Sequence, residues 1–178
     1  MNGHERTLER LRLALEGLSF ELSTPRDRMP TLEVGRDVLR PVLERLKQRA
    51  GFEAPTFVTG VDRHPAEPRF EVVHQLFSNA HRDRVRVRTR VAASDARVPT
   101  CIDLWPGAAF MERECFDMFG IVFEGHANLR RLLMPDEYGH HPLRKDFPHK
   151  GIEPDRLYRE WDRARHAAWR PEAAGGAV

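Results

Sequence analysis

The sequence predicts an α+β domain in which helices pack on a small, mostly antiparallel sheet, followed by a long irregular C-terminal extension. Leucines recur at helical spacing in the first fifty residues, strict alternation follows, and prolines and glycines interrupt any periodicity after Gly125. The domain is expected to span 1–123 and the extension 124–150. A C-terminal helix is expected within 151–170 and a disordered tail at 171–178.

Two helices are predicted at the start of the chain. Leucines spaced along one face, among many charges, indicate an amphipathic helix over 5–18. A loop at 23–30 and a short strand at 31–34 lead to a second helix. We expect this helix to begin after Asp37 as its N-cap and to end before Gly51.

The period of the apolar residues changes to two after these helices, which predicts a sheet. Strands are expected at 56–61, 69–77 and 84–91, joined by turns. The last strand places four arginines on one face and valine or threonine on the other. A loop at 92–98 and a segment at 100–105 then precede a third helix.

The third helix has an apolar stripe and is predicted to end at Gly120, because glycine adopts the left-handed C-cap conformation. Arg113 and Asp117 lie four residues apart on this helix, so we expect them to form an exposed ion pair. Residues 121–123 leave the helix as a short extended run.

The extension after this run combines apolar side chains with chain-breaking residues. Between Gly125 and Pro148 there are three prolines, two glycines and seven large apolar residues. Such a segment needs a surface to cover its apolar groups, and we expect the earlier helices to occupy the core of its own domain already. The segment is therefore predicted to be mobile in the isolated chain and ordered on a partner protein.

Composition excludes several classes of function. The chain has 29 basic and 27 acidic residues, a balance that does not favour nucleic acid or anionic membrane as the main partner. Its apolar runs are far shorter than the roughly eighteen residues that span a bilayer. Two isolated cysteines cannot build a disulfide framework or an iron–sulfur cluster. The charged N-terminus does not resemble a secretory signal, which favours the cytoplasm.

Two groups of side chains could in principle form chemical sites. Three carboxylates, Glu112, Glu114 and Asp117, lack an adjacent nucleophile, a phosphate-binding glycine loop or a dinucleotide motif, so no active site is predicted. Histidines and carboxylates could instead suggest a metallohydrolase, but their spacing is not compact, and we expect hydrogen bonds. This second group comprises His126, His140, His141, His149, Asp136, Glu137 and Asp146.

The segment from Glu112 to Pro148 contains charged, glycine and proline residues in a distinctive order, and its basic side chains suit carboxylates across an interface. The signature positions are Glu112, Arg113, Glu114, Asp117, Gly120, His126, Arg130, Arg131, Pro135, Asp136, His141, Pro142, Leu143, Arg144, Lys145, Asp146, Phe147 and Pro148. In this order the segment resembles the C subunit of NADH-quinone oxidoreductase, the thirty-kilodalton subunit of respiratory complex I. We expect these residues to form a partner interface, with no catalytic, cofactor-binding or metal-binding residue among them.

The resemblance implies a subunit without an active site of its own. It implies a role in assembling and rigidifying the peripheral arm of a proton-translocating NADH:quinone oxidoreductase, chiefly by binding the large quinone-site subunit of the D type. FMN and iron–sulfur clusters are then expected in other subunits. The chain is expected on the cytoplasmic side of the cell inner membrane, held by other subunits without direct membrane insertion.

Two alternatives stay open at this point. Because the resemblance implies a subunit that touches no electron donor, the chain could be the equivalent subunit of a related membrane-bound hydrogenase or ferredoxin-linked dehydrogenase. From another class, the arginine face of 84–91 could make it a free-standing nucleic-acid-binding module. We favour a solvated face, because that strand lacks aromatic residues for stacking on bases.

Overall fold

The computed structural model of the chain describes residues 3–149, 151 and 156–168, which form two compact units. The first unit extends to Lys145, and the second begins at Asp146 and contains the last helix. The elements are α1 (Gly3–Ala14), β1 (Glu21–Ser23), β2 (Thr31–Glu33), α2 (Arg36–Gln48), β3 (Ala54–Asp62), β4 (Phe70–Ser78), β5 (Asp83–Val91), a 3-10 turn (Ala93–Asp95), β6 (Arg97–Pro99), α3 (Ala108–Phe119), β7 (Val122–Glu124) and α4 (Arg156–Ala168).

A five-stranded sheet forms the centre of the first unit. Its strand order is β1-β2-β5-β4-β3, and every neighbouring pair is antiparallel except the parallel pair of β2 and β5. Strands β6 and β7 form a separate parallel pair. The predicted α+β class with a mostly antiparallel sheet is therefore confirmed.

The hydrophobic core lies on one face of this sheet, because alternate residues of β4 and β5 are buried together. Phe70 lies opposite Val91 and Leu76 lies opposite Val85, and all four side chains are buried. Helix α3 packs closely on β3, where a Cβ atom on Gly60 would lie 2.8 Å from Phe119 Cδ2. Glycine at position 60 thus allows the last turn of α3 to approach the sheet.

Several boundaries differ from the prediction. Helix α1 ends at Ala14 instead of residue 18, because the chain turns through Gly17 in a left-handed conformation with φ +79°. Helix α2 has Gly35 as its N-cap, without a side-chain hydrogen bond, and Asp37 lies in its first turn. Strands β1 and β6 were not predicted, since three residues are too few to show an alternating period.

Three of the four arginines on the arginine face of β5 are paired with carboxylates. Arg86 forms an ion pair with Asp27 at 2.7 Å, and Arg88 forms one with Glu71 at 2.8 Å. Arg90 approaches the same Glu71 at 3.5 Å. Because Glu71 is almost fully buried, this face uses its arginines to cover an internal carboxylate, which differs from both interpretations of the sequence.

The second unit contains a helix within 151–170, as predicted. Helix α4 spans Arg156–Ala168, and its described side chains are mostly exposed. The predicted tail at 171–178 lies outside the described residues.

His74 on the core face of β4 has no exposed surface, and neither ring nitrogen has a hydrogen-bond partner among the described residues. Burial disfavours the imidazolium and lowers the pKa of His74 to about 4.

We expect acid to destabilise the fold through His74. In the unfolded chain His74 gains a proton near pH 6.5, whereas in the folded chain it stays neutral until about pH 4. The free energy of unfolding is therefore greatest above pH 6.5 and decreases as the pH falls toward 4. The decrease is about 3 kcal/mol, and His74→Leu should remove it. Urea denaturation of both proteins between these pH values measures the effect. Equal pH dependence in the two proteins would contradict the assignment.

Candidate protein-interaction surface

Asp117 in the last turn of α3 joins the helix to the segment that follows β7. Its side chain is fully buried, and Oδ2 accepts backbone hydrogen bonds from Leu132 at 2.9 Å, Leu133 at 2.7 Å and Met134 at 2.9 Å. Oδ1 accepts a hydrogen bond from Arg131 Nη1 at 2.7 Å. We call this arrangement, Asp117 with Arg131 and the three backbone N–H groups, the Asp117 clasp.

The clasp keeps Asp117 ionised. Burial alone would raise the pKa of its carboxyl group, but the three backbone donors and Arg131 outweigh that effect and hold the pKa below the ordinary value. Successive N–H groups that converge on one anion form a concave backbone site. The chain from Arg131 to Met134 is therefore shaped around the charge of Asp117.

The predicted exposed ion pair between Arg113 and Asp117 is not present. Arg113 instead donates to the backbone carbonyl of Arg130 at 3.1 Å and to that of Arg131 at 2.8 Å. Helical spacing permits the predicted pair, but Asp117 faces inward, where four other donors already surround it. The two residues hold the same loop by different means, one through its carbonyls and the other through its N–H groups.

The segment 141–144 satisfies the backbone carbonyls at the end of α3, which have no partners within the helix. His141 Nδ1 lies 2.9 Å from the Asp117 carbonyl oxygen, and the Leu143 N–H donates to the Met118 carbonyl at 3.1 Å. Arg144 Nε donates to the Phe119 carbonyl at 2.6 Å. Arg144, predicted to face a partner, therefore bonds its own domain.

Gly120 fits both its position in the helix and this close approach. It has φ +75°, which confirms the predicted left-handed C-cap. A Cβ atom there would collide with the side chains of His141 and Arg144. Only glycine lets the two segments lie this close together.

A second buried carboxylate, Asp62, fixes the end of the loop. It accepts hydrogen bonds from Arg69 Nε at 2.9 Å and Nη2 at 2.7 Å, and Oδ2 also accepts the backbone N–H of Lys145 at 2.8 Å. Hydrogen bonding from Arg69 holds the pKa of Asp62 well below its usual range despite burial. Sequence reasoning missed Asp62, whose only signal was a carboxylate at the end of a predicted strand.

The remaining carboxylates of α3 do not form a paired acid–base site. Glu112 is fully buried and accepts hydrogen bonds from the Thr100 hydroxyl and the Cys101 N–H. Glu114 is exposed, so it points away from Glu112 and from the clasp. The geometry assigns Glu112 and Asp117 to structural roles, since each holds a neighbouring segment by its donors.

The other signature positions are divided between the units. His126 Nε2 lies 3.1 Å from the Ala109 carbonyl, and the Tyr138 N–H donates to the Pro135 carbonyl at 3.0 Å in a turn. No three histidine, cysteine or carboxylate side chains converge as metal ligands within the described parts of the chain. Asp146, Phe147 and Pro148 belong to the second unit, so the structure divides the signature at Lys145.

The predicted extension therefore has a different boundary. Residues 125–145 belong to the first unit and are tied to α3, whereas the prediction separated 124–150 from the domain. The physical reason is that the end of α3 offers a buried carboxylate and three carbonyls, groups that only a neighbouring segment can satisfy.

Large apolar side chains remain exposed around the clasp. Leu133 is 60% exposed and Leu143 is 54% exposed, although their backbone N–H groups bond Asp117 and Met118. Phe110, one helical turn before Arg113, is 64% exposed. We call Phe110, Leu133 and Leu143 the clasp surface. Exposed large apolar residues that cluster mark protein-interaction sites, so these three residues define a candidate interaction surface.

We expect Asp117→Asn to destabilise the first unit by about 3 kcal/mol at neutral pH, because it removes a buried charge from four donors. In the wild type, the stabilisation from ionised Asp117 is present above about pH 3.9, the ordinary pKa of an unfolded aspartate. It is lost as the pH falls through the lowered pKa of Asp117 in the folded state. Denaturation at several pH values should show this acid dependence weakened in the variant. Asp136→Asn, an exposed carboxylate of the same loop, is the control; equal stability of both variants would contradict the clasp.

Residues 32–153 match the family model described as the respiratory-chain NADH dehydrogenase, 30 Kd subunit. The C/D 2 subunit of NADH-quinone oxidoreductase from Aquifex aeolicus (strain VF5) is 48% identical over 120 residues, 67% of this chain and 20% of that protein. The C subunit from Roseiflexus castenholzii is 54% identical over 89 residues, half of this chain and 51% of that protein. The C subunit from Citrifermentans bemidjiense is 41% identical over 126 residues, 71% of this chain and 77% of that protein.

The chain thus spans about a fifth of the Aquifex protein and about half of the Roseiflexus protein. Two solved structures share the fold. A trypsin-resistant fragment of Nqo5 has a TM-score of 0.61 and 33% identity, covering 72% of this chain and all of that one. A chain of an archaeal membrane-bound sulfane sulfur reductase complex has a TM-score of 0.72 and 25% identity, covering 99% of this chain and 100% of that one.

The family match covers most of the chain, including the segment that forms the clasp. The family match includes the whole signature, from the start of the Glu112 helix to Pro148, and therefore the clasp and its exposed leucines. We conclude that this chain belongs to the family of respiratory-chain NADH dehydrogenase 30 kDa subunits.

Proposed function

We propose that the chain is a non-catalytic peripheral-arm subunit of a proton-translocating NADH:quinone oxidoreductase, and that its clasp surface binds the D-type subunit. The observation that supports the D-type subunit as the partner is that some relatives have names that combine the C and D subunits. Relatives from Aquifex aeolicus and Acidiphilium cryptum are each named as a C/D subunit, and this chain aligns with 20% and 29% of their lengths. A fusion gives two parts a high effective concentration, which suits proteins that act in contact.

The geometry of the clasp surface supports this role. Its backbone is already held in place: Leu133 by the Asp117 clasp, Leu143 by the Met118 carbonyl and Phe110 by helix α3. Binding would therefore order few additional groups. Covering an exposed leucine gains about 1.5 to 3 kcal/mol when burial is complete. Leu133 and Leu143 can therefore contribute affinity at a low entropic cost, and the exposed Phe110 of α3 offers an aromatic anchor.

The buried side chains support a role in assembly rather than in chemistry. Both cysteines are buried, and burial raises the pKa of each thiol, which disfavours the thiolate that metals and clusters require. Glu112 and Asp117 are occupied by structural hydrogen bonds. The proposal therefore assigns FMN and the iron–sulfur clusters to other subunits of the complex.

The proposed location is the cytoplasmic side of the cell inner membrane, where other subunits hold the chain. Within the described part of the chain, no helix is long and apolar enough to cross a bilayer. Attachment through partners is consistent with an apolar surface of the kind that proteins recognise.

A second candidate is the equivalent subunit of a related complex with another electron donor. The likeness to the sulfane sulfur reductase complex supports it, because that chain aligns over nearly the whole sequence. Higher identity, 36–54%, to proteins named as the C subunit of NADH-quinone oxidoreductase favours the first candidate. A nucleic-acid module is disfavoured, since Arg86, Arg88 and Arg90 are already paired with carboxylates.

The clasp surface is tested with Leu133→Asp/Leu143→Asp. We expect the affinity for the co-expressed D-type subunit to fall by about a hundredfold, because two exposed anchors become charged. Both side chains are exposed, so the fold should keep its unfolding temperature. Copurification and titration with the D-type subunit measure the effect.

Leu13→Asp provides the matched control, because Leu13 is 67% exposed on α1 and lies outside the clasp surface. Its affinity should equal that of the wild type. Unchanged affinity of the double variant would show that the D-type subunit binds elsewhere or does not bind.

A further inference from the structure

A cleft of about 740 Å³ lies at the opposite end of the sheet from the contact between Asp62 and Lys145. It is bordered by α1, the loop before β2 and the turn that joins β4 to β5. Five arginines from these segments and the start of β5 line it: Arg6, Arg10, Arg28, Arg82 and Arg84. The fold therefore gathers basic side chains that are distant in sequence.

The two carboxylates that line this cleft are already neutralised. Asp83 accepts hydrogen bonds from Arg10 at 2.7 Å and from the Thr7 hydroxyl at 2.6 Å, and Asp27 pairs with Arg86 at 2.7 Å. In the part of the chain that the structure describes, Arg6, Arg28 and Arg82 form no ion pair or hydrogen bond through their side chains. We define these three with Arg84 as the basic cleft, which carries uncompensated positive charge.

The backbone of this cleft is strained at two of its arginines. Arg28 has φ 59° and Arg82 has φ 54°, and among the described residues no other non-glycine residue has a positive φ. An L-residue with a side chain adopts this conformation at an energetic cost that glycine avoids. Strained residues that persist in a fold concentrate at binding sites. The energetic cost of a positive φ at both positions is explained if the guanidinium groups of Arg28 and Arg82 bind a ligand.

We propose that the basic cleft binds a carboxylate-rich segment of a neighbouring protein in the complex. This inference rests on the proposed function, which supplies protein partners rather than free nucleic acid. Arginine forks bind carboxylates in bidentate pairs. Phe77 is the one aromatic residue that lines the cleft besides histidines, and Arg84 lies over its ring at 5.8 Å, so the described surface offers no second phenyl, phenol or indole ring for stacking bases.

The basic cleft and the clasp surface would engage different partners. The cleft adjoins the Ser78 end of β4, whereas Lys145 bonds Asp62, which lies opposite Phe70 at the other end. The eight steps of this strand, at about 3.3 Å each, separate these ends by about 26 Å. The chain would thus join two neighbours through opposite ends of one sheet.

The test measures binding of a decaglutamate peptide to the full chain by calorimetry at low salt. Arg28→Asn/Arg82→Asn removes two cleft charges and places at both positions a residue that tolerates positive φ. We expect affinity to fall at least about tenfold while the unfolding temperature stays equal or rises. The control, Arg12→Gln/Arg49→Gln, removes the same charge from two exposed arginines outside the cleft and should bind like wild type.

Three outcomes would overturn the proposal. They are equal weakening of binding by the test and control variants, no binding of the peptide by wild type, and tighter binding of a single-stranded oligonucleotide or of anionic lipid vesicles than of the peptide. A photo-crosslinker at the exposed Ala80 of the cleft, used in the assembled complex, should label an acidic stretch of a copurified subunit. Because Leu133 and Leu143 are unchanged in these variants, failure here leaves binding of the D-type subunit intact.

Discussion

The buried negative charge of Asp117 is the constraint on which the candidate interaction surface depends. A carboxylate without solvent is unfavourable unless donors surround it, and here one side chain and three consecutive backbone N–H groups do so. All of these donors come from Arg131–Met134. The helix and the loop are therefore interdependent: the loop makes the buried charge tolerable, and the charge gives a proline-rich segment a defined path.

The rest of the loop is held by hydrogen bonds to the same C-terminal end of α3. Carbonyls of Asp117, Met118 and Phe119 accept from His141, Leu143 and Arg144, and Asp62 then holds Lys145. Because the backbone N–H groups of Leu133 and Leu143 are bonded within the domain, their side chains can face outward. This arrangement explains how a segment with little regular structure can present a preorganised apolar surface to another protein.

The sequence was sufficient for elements with a clear period, such as α2 and β5, because burial of one face is recorded in every second or third residue. It was insufficient for the three-residue strands β1 and β6 and for the pairing of Asp117. Spacing on α3 suggested Arg113, whereas the true partner, Arg131, lies 14 residues away, and Lys145 lies 83 residues from Asp62. Contacts between residues this far apart in the chain produce no local pattern in the sequence. The signature identified the residues of the surface but not which of them bind each other.

Backbone hydrogen exchange of the isolated full chain tests the central claim most directly. If the Asp117 clasp holds the loop on its own domain, the amides of Leu132, Leu133 and Met134 should exchange as slowly as those at the centre of α3, without any partner present. Exchange of these three amides at the rate of an unstructured peptide, with α3 still protected, would show that the loop is ordered only on a partner and would contradict the account.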